Sequence, residues 1–185
     1  MQSATQALPS AREVVDFWRA AGRERWFRKD EAFDADFRNR FLAAHEAAAG
    51  GALDGWGGSA EGSLALLILL DQFPRNAFRG TARMYATDPK AREVARAAVA
   101  QGHHTAVDPE LQGFFCLPFT HSEDSADHAR SVELSRTLDE DTRRFTLHHR
   151  DLVQRFGRFP HRNALLGRAT TVEEQRFLDE GGFSG

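Results

Sequence analysis

The sequence predicts an all-α fold, a single domain over residues 1–185 with seven to eight helices around one core. Three observations point there. Alternation of apolar and polar residues never persists, and β-branched residues are too sparse to build strands. Apolar residues recur three and four positions apart instead, the spacing that lines one face of a helix. Helix start signals are frequent and the segments between them short, with no linker or low-complexity stretch to mark a second domain.

Taken in order, Ser10-Ala-Arg-Glu13 reads as a capping box, opening a helix whose apolar face holds Val14, Val15 and Trp18. Phe33, Phe37 and Phe41 form a phenyl ladder along a second helix, which stops at Gly50-Gly51. Residues 59–73 contain L-A-L-L-I-L-L, apolar all round, the mark of the most central helix. Pro74 is expected to break it. Asp88-Pro89 and Asp108-Pro109 each read as an N-cap followed by proline at the first helical position, opening helices near 89–101 and 109–116. Further helices are expected near 124–138, 141–156 and 172–180, the last behind the capping box Thr171-Val-Glu-Glu174.

Composition narrows the function. Fifteen Phe against one Tyr predict a core packed by phenyl rings. A net charge of −3 argues against bulk attraction to nucleic acid or an anionic membrane. The longest apolar run, Leu64 to Leu70, is far shorter than the ~20 residues of a spanning helix. The first thirty residues lack the basic-then-apolar order of a signal peptide, and Cys116 is the single cysteine, so a reducing, cytoplasmic location is expected. Cys116 lies among large apolar residues and reads as a buried, inert thiol.

The polar motifs carry the functional reading. Leu70 to Gly80 is L-D-Q-F-P-R-N-A-F-R-G, and Phe156 to Gly167 is F-G-R-F-P-H-R-N-A-L-L-G. F-P-(H)-R-N thus occurs twice, and each copy reads as a helix exit. Phe plugs the core, Pro stops the helix, and Arg and Asn satisfy orphan carbonyls and amides. Should the exits meet, their arginines converge on one pocket. Asp71, at the end of the most buried helix, needs a partner such as one of those arginines.

On the helix before the second copy, Phe145, His149, Leu152 and Phe156 share one face, so His149 points inward while Arg144, His148, Asp151 and Arg155 face solvent. A buried imidazole needs partners at its ring nitrogens, so His149 is a bonded structural His, a general base or a ligand contact. The Arg- and His-rich stretch from His148 to Arg162 suits anion binding, or else pairing with the acidic stretch Glu123 to Asp141. In L-P-F-T-H-S-E-D, Ser122 or Asp124 is an N-cap candidate, and His121 and Glu123 are candidates for chemistry. Nucleophilic Ser–His–acid catalysis lacks a G-x-S-x-G elbow. His121, Glu123, His128, His149 and His161 show no H-E-x-x-H or Cys/His spacing, so no metal and no cofactor is assigned. His103-His104 reads as a solvated turn, and Trp56 as a core plug under a glycine loop.

The stretches L-A-L-L-I-L-L-D-Q-F-P-R-N-A-F-R-G, P-F-T-H-S-E and H-R-D-L-V-Q-R-F-G-R-F-P-H-R-N-A-L-L-G-R together resemble a bacterial family of unknown function known for its D-Q-F-P-R-N signature. The resemblance runs from about Val14 to Leu178. It implies a tetratricopeptide-like all-α architecture, either a helical array or a bundle, and no established activity. The positions matching the family's motifs are Asp71, Gln72, Arg75, Asn76, Arg79, His121, Glu123, His149, Arg150, Arg158, His161, Arg162 and Asn163. His128 stands where the family pattern leads one to expect glutamine.

The leading expectation is a binding module, in which a cleft lined by Arg75, Arg79, His149, Arg158, His161 and Arg162, with Asn76 and Asn163, holds a small anionic molecule or a peptide carboxylate. The second is a small hydrolase-type enzyme: His149 or His121 acts as general base, Glu123 or Asp71 orients it, and arginines meet developing negative charge. The third is a structural role for every motif residue. An enzyme requires a His–carboxylate pair open to a cavity, a binder requires convergent donors, and a structural role requires no cavity. Oligomeric state stays open.

Overall fold

The computed structural model describes residues 7–183, and among these there is no β-strand. Seven helices make the framework: α1 (Ala11–Ala21), α2 (Glu31–Ala49), the central α3 (residues 60–77), α4 (Asp88–Ala100), α5 (Ser125–Ser135), α6 (Glu140–Phe156) and α7 (Val172–Asp179). Short helical turns at Arg23–Trp26, Ala82–Tyr85, Pro109–Phe115, Leu117–Thr120 and Pro160–Arg162 join them. Both capping boxes form, Ser10 with Glu13 and Thr171 with Glu174.

Helix α3 is enclosed by α1, α2 and α4, and its residues Leu64 to Leu70 are all buried. Phe17 of α1 stacks on Phe33 and Phe37 of α2, and Trp18 meets Trp26, Phe37 and Phe114. Helices α5 and α6 pack against each other beyond the Leu117–Thr120 turn. Leu152, Val153 and Phe159 form a second, smaller apolar cluster with Phe156, Phe177 and Phe183. A glycine is required at position 62, where a Cβ would stand 2.1 Å from the Trp56 carbonyl oxygen. Trp56 is half-buried against the core. The His103-His104 turn is half-buried rather than solvated, because His103 Nδ1 lies 2.9 Å from the Ser63 hydroxyl.

Pro74 does not end the central helix. Ala60–Leu67 is α-helical, Ile68–Gln72 makes a π-helical turn, and Phe73–Ala77 resumes as α-helix. In an uninterrupted α-helix Pro74 would offer no N–H to Leu70 and its ring would press on that carbonyl. The wider turn removes the conflict by pairing the Phe73 N–H with Ile68, five residues back. The Leu69 and Leu70 carbonyls are thereby released inside the core. His45 Nδ1 donates to the first at 2.8 Å and the Thr87 hydroxyl to the second at 2.6 Å.

The Asp-Pro pairs also differ from expectation. Thr87, not Asp88, occupies the N-cap of α4, and the Asp88 side chain turns inward. Asp108 does hold the expected N-cap position ahead of Pro109, but the segment it opens, Pro109–Phe115, is 3₁₀ rather than α-helical, and its carboxylate goes to Arg19. At the second motif the expected exit does form: Gly157 caps α6 in the left-handed region at φ 71°, and Phe159 is extended ahead of Pro160.

Thr87→Val keeps the side-chain shape and leaves the Leu70 carbonyl unpaired. We expect a loss of about 1–3 kcal/mol, read as a lowered urea midpoint with unchanged slope.

Candidate functional site

The two F-P-x-R-N copies meet. Their phenylalanines, Phe73 and Phe159, are both fully buried. Their arginines converge on the Asp88 carboxylate, which takes a two-pronged grip from Arg75 at 2.9 and 3.1 Å. Arg162 Nη1 stands 3.7 Å from the same carboxylate, beyond hydrogen-bond reach. Both guanidinium groups lie over the ring of Tyr85, at 5.9 Å for Arg75 and 4.5 Å for Arg162.

Asp71, on the π-helical turn, ties the arginines to a histidine. Its Oδ1 accepts from His121 Nδ1 at 2.8 Å and sits 3.2 Å from Arg75 Nη1, while Oδ2 accepts from Gln72 at 2.6 Å. Burial alone would raise the Asp71 carboxyl. The Arg75 charge and the His121 contact outweigh it and hold the group ionised, below the usual carboxylate range. Burial, then the nearby Arg75 charge, lowers His121, which is therefore neutral at pH 7. An Nδ1–H directed at a carboxylate fixes the tautomer and leaves Nε2 as a bare acceptor.

A cavity of about 320 Å³ opens over this group. Arg75, Asn76, Arg79, Arg162 and the three histidines His121, His149 and His161 line its polar side, with Gln72 and Tyr85. Trp26, Phe27, Met84, Leu117, Phe145 and Phe183 line its apolar side, with the exposed Arg28 beside them. His149 Nδ1 donates to the Phe145 carbonyl at 2.9 Å, and burial pushes its pKa down to about 2. His161 is pushed down to about 4, by burial first and then by Arg162. Asn76 and Arg79 are held by Asp34 at 2.7 and 3.0 Å.

Arg162 is 7% exposed, yet among the described residues its guanidinium makes no hydrogen bond. It rests on the Phe159 and Tyr85 rings, with Asp88 its nearest anion. A buried cation left short of acceptors is costly, and its side chain lines the cavity. Burial and the Arg75 charge pull it below its ordinary pKa.

The remaining candidates lie elsewhere. Arg158 grips Glu174 at 2.7 and 2.8 Å, Asn163 reaches Glu174 at 3.2 Å, and Glu123 takes Arg168 at 2.7 and 3.0 Å. None of these three lines the cavity, and Glu123 does not orient His121. The clamp holds α7 against the turn that carries Arg162. Expected pairing between the acidic stretch and the basic helix is replaced: Asp127 goes to Arg92 and Arg96, and Asp139 to Arg23. The Ser122 hydroxyl donates to Asp127 rather than to a histidine, and Asp124 caps α5. Cys116 is buried, and burial pushes its thiol up to about 11.

Asp88, Tyr85 and Phe183 escaped the sequence reading. Asp88 ahead of proline looks like a cap, and nothing local distinguishes the lone tyrosine or a phenylalanine near the chain end.

The depressed His149 has a pH consequence. The unfolded chain takes up that proton near pH 6.5 and the folded chain does not, so the stabilisation is complete above pH 6.5 and lost as pH falls. Between pH 7.5 and 5 one such histidine costs about 2 kcal/mol. His149→Gln is expected to flatten the decline by that amount in urea melts run across the window.

A solved protein of unknown function from Agrobacterium tumefaciens is 55% identical, superposes with a TM-score of 0.91, and is covered over 97% of its length by 92% of this chain. No curated protein matches. The family described as "Bacterial protein of unknown function (DUF924)" matches residues 14–182, and the chain belongs to that family.

Proposed function

We propose that the protein is a small hydrolase that splits a compact ester or amide with water, using His121 as general base. The observation that carries this reading is the buried His121–Asp71 pair, 2.8 Å apart, beside a cavity also lined by an under-partnered arginine. Asp71 holds the tautomer and stabilises the imidazolium that forms. His121 Nε2 takes a proton from water, and the hydroxide adds to the acyl carbon. The negative charge gathering on the acyl oxygen faces Arg162, whose guanidinium makes no hydrogen bond among the described residues. Collapse breaks the bond to the leaving group, which receives the proton from His121, and the acid is released.

Among the described residues no Ser, Thr or Cys lines the cavity, which favours water over a side-chain nucleophile. Neutral His121 suits a base at pH 7. The same Arg162 donors support the second reading, a binding module for a small anion, in which His121 is only a hydrogen-bond partner. A tetratricopeptide-like arrangement of the helices and a cytoplasmic location belong to the proposal in either form.

The test is a panel of chromogenic esters and anilides. His121→Asn and Asp71→Asn are each expected to lower kcat/KM by about 10²–10⁴. The wild-type profile should rise from acid and level off below pH 6.5, because burial lowers the base. Failure of every substrate, with small acids still bound, would leave the binding module.

A further inference from the structure

Resting on that reading, we infer that the acyl group taken by the cavity is aromatic, an aryl or arylalkyl acyl group of about ten non-hydrogen atoms. Its carbonyl lies at Arg162 and its ring lies among Trp26, Phe145 and Phe183.

Size, shape and charge each support this. A volume of about 320 Å³, partly open to solvent, lies at the small end of ligand pockets and has room for a single substituted ring. The apolar wall is built mainly of rings. Phe145 and Phe183 stand 4.0 and 4.7 Å, centroid to centroid, from the His149 ring, and Phe183 meets His161 edge-on at 5.1 Å. Neutral imidazoles among phenyl rings offer edges and faces to a further ring and no charge to solvate.

The charge balance separates ligand classes. Arg28, Arg75, Arg79 and Arg162 line the cavity, and Asp34, Asp71 and Asp88 answer them, which leaves one positive charge with the histidines neutral. One carboxylate balances it. A phosphate dianion would leave a surplus negative charge facing Asp71 and Asp88, and a cationic ligand would meet no unpaired acid. Hydrolysis of an aryl acyl ester gives such a monoanion at Arg162, so the product acid is a direct probe of the site.

The measurement is isothermal titration of 3-phenylpropionate, hexanoate, phenyl phosphate and a tetrapeptide ending in Phe into the full chain, alongside assays of the matching esters. We expect 3-phenylpropionate to bind about five- to tenfold more tightly than hexanoate, and more tightly than phenyl phosphate or the peptide. Arg162→Gln should lose at least about tenfold in affinity for the acid, and Phe183→Ala should erase the preference for the ring, measured well below its own, lowered melting temperature because the ring also packs in the second apolar cluster. Equal or tighter binding of hexanoate, phenyl phosphate or the peptide would overturn the aromatic assignment, as would a Phe183→Ala variant that keeps the preference. Selective binding without turnover of any aryl ester would leave the ligand class standing and remove the hydrolase. Turnover of aliphatic esters alone would keep the hydrolase and remove the ligand class.

Discussion

The buried Asp88 carboxylate joins two stretches of chain that lie 86 residues apart in F-P-x-R-N. It grips Arg75 from the central helix with both oxygens and stands near Arg162 from the turn after α6. Taking these charges out of water is expensive, and their mutual attraction only partly offsets the cost. Such a cluster is weak grounds for stability and strong grounds for geometry. It fixes where the second apolar cluster sits against the main core, and the cavity is the space left between them.

The network satisfies its members unequally, and the inequality locates the site. Arg75 is saturated by Asp71, the Asp71 carbonyl and Asp88, and these partners outweigh the effect of burial and raise its pKa. Among the described residues the Arg162 guanidinium makes no hydrogen bond, and its pKa is lowered by burial and the Arg75 charge. Two arginines from equivalent motif positions thus have opposite electrostatic fates. The first holds the frame together, and the second is the one the proposed function assigns to the acyl group. The clamp of Arg158, Glu174, Arg168 and Glu123 then makes that posture rigid from outside, anchoring the Phe159 backbone N–H at 2.8 Å and its carbonyl at 3.2 Å.

The π-helical turn serves the same end. A straight α-helix ending at Pro74 would leave Asp71 and Gln72 in a frayed last turn, where carboxylates are hydrated. By continuing through the proline the helix keeps Asp71 at 1% exposure, close to both Arg75 and His121. His45 and Thr87 make this affordable by meeting the two released carbonyls. A structural irregularity, not a loop, positions the proposed catalytic pair.

Much of this was legible in the chain alone because it depends on local spacing. The capping boxes, the phenyl ladder, the inward His149 beside the outward His148, the Gly157 cap and the buried thiol all follow from helical periodicity and the chemistry of the cap residues. The helical class needs nothing more. The continuation through Pro74 was not legible, since the carbonyls it frees are met by His45 and Thr87 from other helices. Nor was the fate of Asp88, whose place before a proline fits a cap until two arginines arrive from elsewhere. Sequence supplied the polar residues in duplicate, but only tertiary packing decided which copies face the cavity. Arg162 and His161 do, while their neighbours Arg158 and Asn163 are spent on Glu174. The reason is physical: a side chain's direction is set by its own turn of helix, whereas its partners are set by whichever elements the core brings alongside.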